Sequence, residues 1–181
     1  VVVILGHGSE TVKNVIPEDA IVVMQTEQLG TGHAVKMAKD TINDDDIIVV
    51  LCGDTPLIEE ETLKKLFDYH LENEYMATVL TTKVDDPTGY GRVIRDSEGN
   101  FEKIVEQKDA NEEELAVNEI NSGIYCFKGD KLKEALDLLD NNNAQGEYYL
   151  TDTMKIIKDR GSKVGAFVGA TIEELMGVNS R

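Results

Sequence analysis

The chain has 181 residues, of which 41% are hydrophobic and 29% charged, enough for one domain with a real core. Its net charge of −17 repels a phosphate backbone, which argues against nucleic-acid binding but leaves a small nucleotide open. No apolar run is long enough for a membrane-spanning helix and no secretory signal opens the chain, so no membrane partner is expected.

Val1 to Leu5 reads as a strand, followed at once by Gly6-His7-Gly8-Ser9 and a short helix ending near Ile16, with Ser9 as its cap. Glycines between a strand and a helix invite a dinucleotide-fold reading, but Thr11 holds the place of the third glycine. The next strand, Ala20 to Met24, ends in Gln25 where that fold needs an acid for the ribose. Gln25 to Ala34 is polar and then glycine-punctuated, and a helix runs from a Thr31 cap to about Asp40. Gln25 and Gln28 can read the edge of a base, and free N–H groups at the helix start can face an anion, although a plain capped loop accounts for the same residues. His33 reads as a helix-surface residue, not a base.

After an acidic turn, Ile47 to Leu51 is an apolar, mostly β-branched run, expected to be a strand buried on both faces that Cys52 can extend. Gly53 permits a sharp turn and close approach of a ligand. Asp54 then stands past the strand's carboxyl end, where open α/β sheets bind ligands; it is either a turn opener before Thr55-Pro56 or a ligand for a hard divalent cation. A helix follows over about Glu59 to Asn73, with Leu63, Leu66, Phe67, His70 and Leu71 on one face. Three strand–helix units in succession imply a parallel sheet with helices on both faces.

The pattern then changes. Met76 to Val84 is a strand, and Arg92 to Arg95 and Phe101 to Glu106 form a hairpin around Asp96-Ser97-Glu98-Gly99-Asn100. Glu112 to Leu115 suggests a helical turn, and Asn121-Ser122-Gly123 opens a strand through Phe127. This part reads as an antiparallel extension over the ligand edge. Asp130 caps a helix to Leu139 that turns Leu132, Leu136 and Leu139 to the core. Residues 141–150 form a polar loop with two aromatics, suited either to contacting a sugar or to joining two helices. Thr151 or Asp152 caps the last helix, and Lys163 to Val168 is the last strand. The two cysteines, Cys52 and Cys126, lie in apolar runs without metal or disulfide spacing, so buried free thiols and a reducing, cytoplasmic setting are expected. Both ends read as cuts through a longer protein.

Six stretches, in order, resemble the uridyltransferase domain of the bacterial bifunctional N-acetylglucosamine-1-phosphate uridyltransferase / glucosamine-1-phosphate acetyltransferase family. They are Gln25 to Ala34, Cys52 to Leu57, Asp86 to Arg92, Ile104 to Ala110, Glu119 to Gly123 and Asn142 to Asp152. The resemblance implies an α/β, Rossmann-like nucleotide-diphospho-sugar transferase fold: a mostly parallel sheet with an antiparallel sugar-binding extension and the family's first strand missing. Residues 1–181 would be a partial uridyltransferase domain, truncated at both ends, without the β-helix acetyltransferase domain. The implied reaction moves a uridylyl group from UTP to N-acetylglucosamine 1-phosphate, giving UDP-N-acetylglucosamine for cell-wall precursors.

By matching position, Gln25, Gly30 and Thr31 would hold uracil, and Cys52-Gly53-Asp54 would line the ribose and phosphate side. The family often has Tyr where this chain has Cys52. Gly91, Glu106 and Asn121 would recognise the amino sugar, with Tyr149 and Thr151 beside them. Asp54 and Asn179 would bind Mg²⁺. The family's glycine-rich phosphate loop does not occur within the chain, so this piece alone is expected to be catalytically incompetent, and the homotrimer expected of the family depends on the absent β-helix domain. Another sugar-phosphate nucleotidyltransferase, or a non-catalytic remnant that binds sugar nucleotides, are the alternatives.

Overall fold

The computed structural model describes residues 1–6 and 8–176. In chain order the elements are β1 (Val2–Leu5), α1 (Ser9–Lys13), β2 (Ile21–Met24), α2 (Thr31–Met37), β3 (Ile47–Val50), α3 (Glu60–Glu72), β4 (Ala77–Lys83), β5 (Arg92–Arg95), β6 (Phe101–Val105), α4 (Glu112–Leu115), β7 (Glu119–Lys128), α5 (Gly129–Leu138), α6 (Thr151–Asp159) and β8 (Val164–Val168). None of the described helices is long and apolar enough to cross a membrane.

The strand at the centre is β7. One of its edges pairs antiparallel with β4 from Glu119 to Phe127, and the other is shared, by β5 at Ile120 and by β3 from Tyr125 to Lys128. The hairpin partner β6 extends β5, and β8 lies parallel to β4. The strands β1 and β2 pair parallel in a separate two-stranded ladder. The sheet is therefore mixed, where the strand–helix–strand pattern had suggested a mostly parallel one. The reason lies in the α3 crossover: β3 and β4 run the same way but leave room for one strand between them, and β7 fills it from the opposite direction.

Alternation along the strands separates two apolar layers. Val79, Tyr125 and Phe127 point to one face, against Leu132 and Leu136 of α5 and Met154 and Ile157 of α6. Leu80, Ile124 and Cys126 point to the other, against Leu66 of α3 and Leu175. Within α3 Leu66 and His70 are buried, whereas Leu71 is exposed and lies off the expected face.

Several local expectations are corrected. The strand β3 is not buried on both faces: Val49 is 39% and Leu51 49% exposed, because β3 is hydrogen-bonded only to β7 among the described strands. Leu51 and Cys52 lie beyond it, and Cys52 is only part-buried whereas Cys126 is buried; both are free thiols. The expected caps also shift, by one residue at α1 and α2, by two from Asp130 at α5, and from Thr151 or Asp152 to Leu150 at α6. Gly8, Gly30, Lys128 and Leu150 hold the N-cap positions of α1, α2, α5 and α6, and none makes a side-chain cap bond. Ser9, Thr31 and Thr151 are instead the first helical residues, which leaves the Thr31 and Thr151 hydroxyls for other partners. A capping box does occur at α4, where the Asn111 and Glu114 side chains each bond the other's backbone N–H.

Candidate active site

The loop at 145–150 is the seam on which the site is assembled. Tyr148 donates its N–H to the Leu29 carbonyl at 2.8 Å and accepts from the Gly32 N–H at 2.8 Å. The Leu150 N–H donates to Thr31 Oγ1 at 3.0 Å. Strand-like bonds thus stitch the loop to the start of α2. Gly30 is required there: its φ is +108°, and a Cβ would meet the Tyr148 carbonyl oxygen at 2.6 Å.

On one side of this seam, Gln25 follows β2 and is 9% exposed. Its Nε2 donates to the Gly30 carbonyl at 3.0 Å and sits 3.1 Å from His33 Nδ1. Both amide hydrogens are thereby engaged, so Gln25 can offer a ligand only its Oε1, an acceptor. This sharpens the expectation from composition, which allowed donor or acceptor. His33 is half-buried and holds Gln25 in place, correcting its reading as a surface residue. Gln28 donates to the Gln25 carbonyl and so serves the loop.

Past β3, Cys52 Sγ donates to the Gly123 carbonyl at 3.4 Å, and its thiol is pushed up by burial and by the Asp54 charge. A Cβ on Gly53 would meet nothing within 4 Å, and the residue is outside the left-handed region, so the turn itself does not demand glycine. The open space there is compatible with close approach of a ligand. Asp54 is half-exposed. Among the described residues no three His, Cys, Asp or Glu side chains cluster as metal ligands. A single carboxylate still suits Mg²⁺, which takes one or two protein carboxylates and completes its shell with water and phosphate oxygens. Asn179 lies outside the described residues.

On the other side, Glu106 follows β6 and its carboxyl is raised, first by burial and then by Asp152 and Asp109, against the Thr151 hydrogen bond. Thr151 donates its hydroxyl to Glu106 Oε1 at 3.2 Å. Gly91 lies directly beneath: a Cβ would stand 3.3 Å from Glu106 Oε2. The Gly91 carbonyl accepts the Asn121 N–H at 2.9 Å. Tyr149 Oη donates to Asp109 Oδ2 at 3.5 Å, and burial with Asp109 and Glu106 pushes the phenol up to about 12. Asp152, half-buried, is raised to about 6, first by burial and then by the Asp140 and Asp109 charges.

The structure therefore links Gln25, Gly30 and Thr31 to each other, and Gly91, Glu106, Asn121 and Thr151 to each other, with the 148–151 backbone joining the groups. Cys52 joins them through Gly123. From sequence, Asp109 and Tyr125 carry no site role and His33 reads as a surface residue, yet all three contact these residues. The hydrophilic 105–110 run offered a hint of Asp109; nothing in the pattern of the apolar strand Ile124 to Phe127 marked Tyr125.

A model of the nucleotidyl transferase family matches residues 6–172. Bifunctional protein GlmU of Clostridioides difficile (strain 630) is 73% identical over 99% of this chain and 39% of its own length. Bifunctional protein GlmU of Alkaliphilus oremlandii (strain OhILAs) is 56% identical over the same shares. The chain thus spans about two fifths of the length of these curated relatives. UDP-glucose pyrophosphorylase, solved with UDP-glucose, superimposes with a TM-score of 0.72 at 17% identity, covering 96% of this chain and 76% of that one. HddC from Yersinia pseudotuberculosis gives 0.63 at 20% identity over 92% and 68%. These two likenesses speak to the fold alone. With the family match running from Gly6, past β8, to Ile172, the chain belongs to the nucleotidyl transferase family.

Proposed function

We propose that the protein transfers a uridylyl group from UTP to N-acetylglucosamine 1-phosphate, forming UDP-N-acetylglucosamine and pyrophosphate, a turnover not expected of these 181 residues by themselves. The observation that carries this reading is the pairing across one seam of a lone acceptor, Gln25 Oε1, with a carboxylate–amide pair, Glu106 and Asn121. Gln25 accepts from the uracil N3–H, which cytosine lacks. Glu106 accepts from a sugar hydroxyl and Asn121 meets the acetamido group. The six stretches of resemblance and the GlmU relatives support the same assignment.

The sugar phosphate oxygen attacks the α-phosphorus in line, a P–O bond forms, and pyrophosphate departs with its bonding pair. No side chain becomes covalently attached. The chain's work is positioning: the seam fixes the distance between base and sugar, and burial keeps water from competing with Glu106 and Asn121. Asp54, with Asn179, would hold Mg²⁺, which supplies charge neutralisation on the phosphate oxygens. Cys52 contributes through the backbone beside it, since its thiol is already donated to Gly123. The free thiols support a cytoplasmic setting.

Calorimetric titration of the 181-residue chain with UDP-N-acetylglucosamine, followed by displacement with each of the four common nucleoside triphosphates, tests the reading. UTP is expected to displace best. Equal displacement by CTP, or no binding of the sugar nucleotide, overturns it, and preference for another base with the same sugar would favour a different sugar-phosphate nucleotidyltransferase.

A further inference from the structure

Where β7 passes β4 the ladder breaks. Val79 faces Tyr125 and Thr81 faces Asn121, so two steps along β4 are matched by four along β7. The extra residues form a bulge, which re-aims a side chain at the cost of pairing. Gly123 within it takes φ +78°, with Cys52 Sγ 2.9 Å from where its Cβ would be. Ser122 repairs the break by donating to the Leu80 carbonyl at 2.7 Å and accepting from the Ile124 N–H at 3.0 Å.

Asn121 is the side chain the bulge turns out. Its Oδ1 accepts two hydrogen bonds, from the Gly123 N–H at 2.9 Å and from the Tyr125 hydroxyl at 3.0 Å. Both acceptor positions of that oxygen are filled. A flipped amide would put NH₂ against the Gly123 N–H, donor to donor, so the network allows one orientation. The two Nδ2 hydrogens are then the donors that Asn121 has left to offer, and the Tyr125 hydroxyl on its oxygen lies close enough to Glu106 to feel that charge. Tyr125 itself is 2% exposed, so its hydroxyl is not a surface group that found a chance partner. A buried phenol needs an acceptor, and Asn121 supplies it.

We propose that Tyr125 is a positioning residue for the sugar pocket: the Gly123 N–H fixes which end of the Asn121 amide turns inward, and the Tyr125 hydroxyl, the second donor to the same oxygen, pins that side chain so that its NH₂ is left for the ligand, and the pocket thereby selects an acceptor oxygen, the acyl carbonyl of a 2-acylamino sugar, over a free 2-ammonium group. This rests on the functional reading above. Tyr125 touches no ligand; it acts through Asn121.

The test combines ligand-free and ligand-bound measurements on the 181-residue chain. Tyr125→Phe removes one oxygen and keeps the ring. Its affinity for N-acetylglucosamine 1-phosphate is expected to fall about tenfold with UTP affinity unchanged. In an Asn121→Ala background the same change should add nothing. The Asn121 side-chain amide pair in a ¹⁵N-correlated spectrum should shift in Tyr125→Phe without any ligand. Asn121→Asp offers acceptors to both donors and so keeps the bulge, but removes the outward NH₂; it should reverse preference toward glucosamine 1-phosphate. Equal sugar affinity in wild type and Tyr125→Phe, an additive loss in the Asn121→Ala background, an unshifted amide pair, or an Asn121→Asp protein that still prefers the acetylated sugar overturns the proposal. A wild-type chain that binds no sugar phosphate overturns the functional reading and this inference together.

Discussion

The two sides of the site are built on opposite principles. The base side rests on a thin platform: β1 and β2 form a ladder of two strands, and Ile21, Val22 and Met24 are 53%, 41% and 39% exposed. The sugar side rests on the middle of a six-stranded sheet, where Val79, Ile120, Tyr125 and Phe127 are at most 2% exposed. Polar groups follow the same division. Gln25 keeps one acceptor and commits its donors to the loop and to His33, whereas on the sugar side Thr151 bonds Glu106 and Tyr125 bonds Asn121. A platform with little packed beneath it opens at low free energy, whereas a central strand opens only with the whole sheet. Within this chain, which spans about two fifths of its relatives' length, the sugar side is thus preorganised and the base side is held by the seam.

The seam is where that contrast breaks most easily. Gly30→Ala places a Cβ against the Tyr148 backbone and a non-glycine residue at φ +108°. It should cost about 3 kcal/mol in urea unfolding, from strain and displaced backbone together. Affinities for uracil nucleotides and for the sugar phosphate should fall together, because the shifted loop carries Thr151 away from Glu106. A variant that loses nucleotide alone would show that the two sides are independent.

Glu106→Gln separates binding from stability on the sugar side. Sugar-phosphate affinity should drop about tenfold or more, a loss of about 1.5–3 kcal/mol for a charged hydrogen bond. Stability should rise. Burial raises the Glu106 carboxyl in the folded state, so its ionisation opposes folding as pH climbs past the ordinary carboxylate range. Unfolding of wild type and variant should therefore agree at pH 3 and diverge at pH 7, with the variant the more stable. A variant less stable at pH 7 would mean that Thr151 and its neighbours need the charge.

Thr31→Val removes the acceptor for the Leu150 N–H while leaving the chain of α2 intact. A lost bond to a backbone donor costs about 1 kcal/mol. The expected signature is faster amide exchange at Leu150 with little change in β7. Protection unchanged at Leu150 would place the hold on the loop entirely in the Tyr148 bonds.

Much of this division was legible in the residues. The helical faces of α3 and α5 gave the layers, whereas Glu106, Asn121 and Thr151 were brought together only by the family resemblance, and the structure then sets them at strand and helix ends. What escaped was non-local. A one-dimensional pattern cannot show that β7 enters between β3 and β4, so the sheet's direction was misread. Thr31 and Thr151 have the side chain of a cap, and only the fold shows that their hydroxyls serve Leu150 and Glu106. Tyr125 sits in an apolar run, and its hydroxyl gains meaning only once the bulge brings Asn121 back over it.

Asp152 gives a smaller, pH-dependent handle on the sugar side. Its carboxyl rises to about 6 from burial and from the Asp140 and Asp109 charges, and Lys155 only partly offsets this. An acid raised on folding favours the folded state below its unfolded value and loses that advantage as pH rises through about 6. Because the side chain is half-exposed, solvent screening leaves about 1 kcal/mol. Asp152→Asn should recover that amount at pH 7 and nothing at pH 3 in paired denaturation curves. Equal gains at both values would assign the effect to packing, not charge.

The smallest effects are expected on the platform. Ile21→Thr and Val22→Thr keep β-branching on residues that are 53% and 41% exposed, so each should move the unfolding midpoint by under about 0.5 kcal/mol. The same exchange at Val79, fully buried in β4, carries a hydroxyl into a layer that offers it no partner and should cost far more. If Ile21→Thr proves as damaging as Val79→Thr, the exposed face of β1 and β2 is covered in solution. Dilution would then distinguish cover by a second copy, whose protection fades with concentration, from cover within one chain, which does not. Either result would move the base side from a platform held by the seam to one held from beneath, and the contrast between the two sides would have to be redrawn.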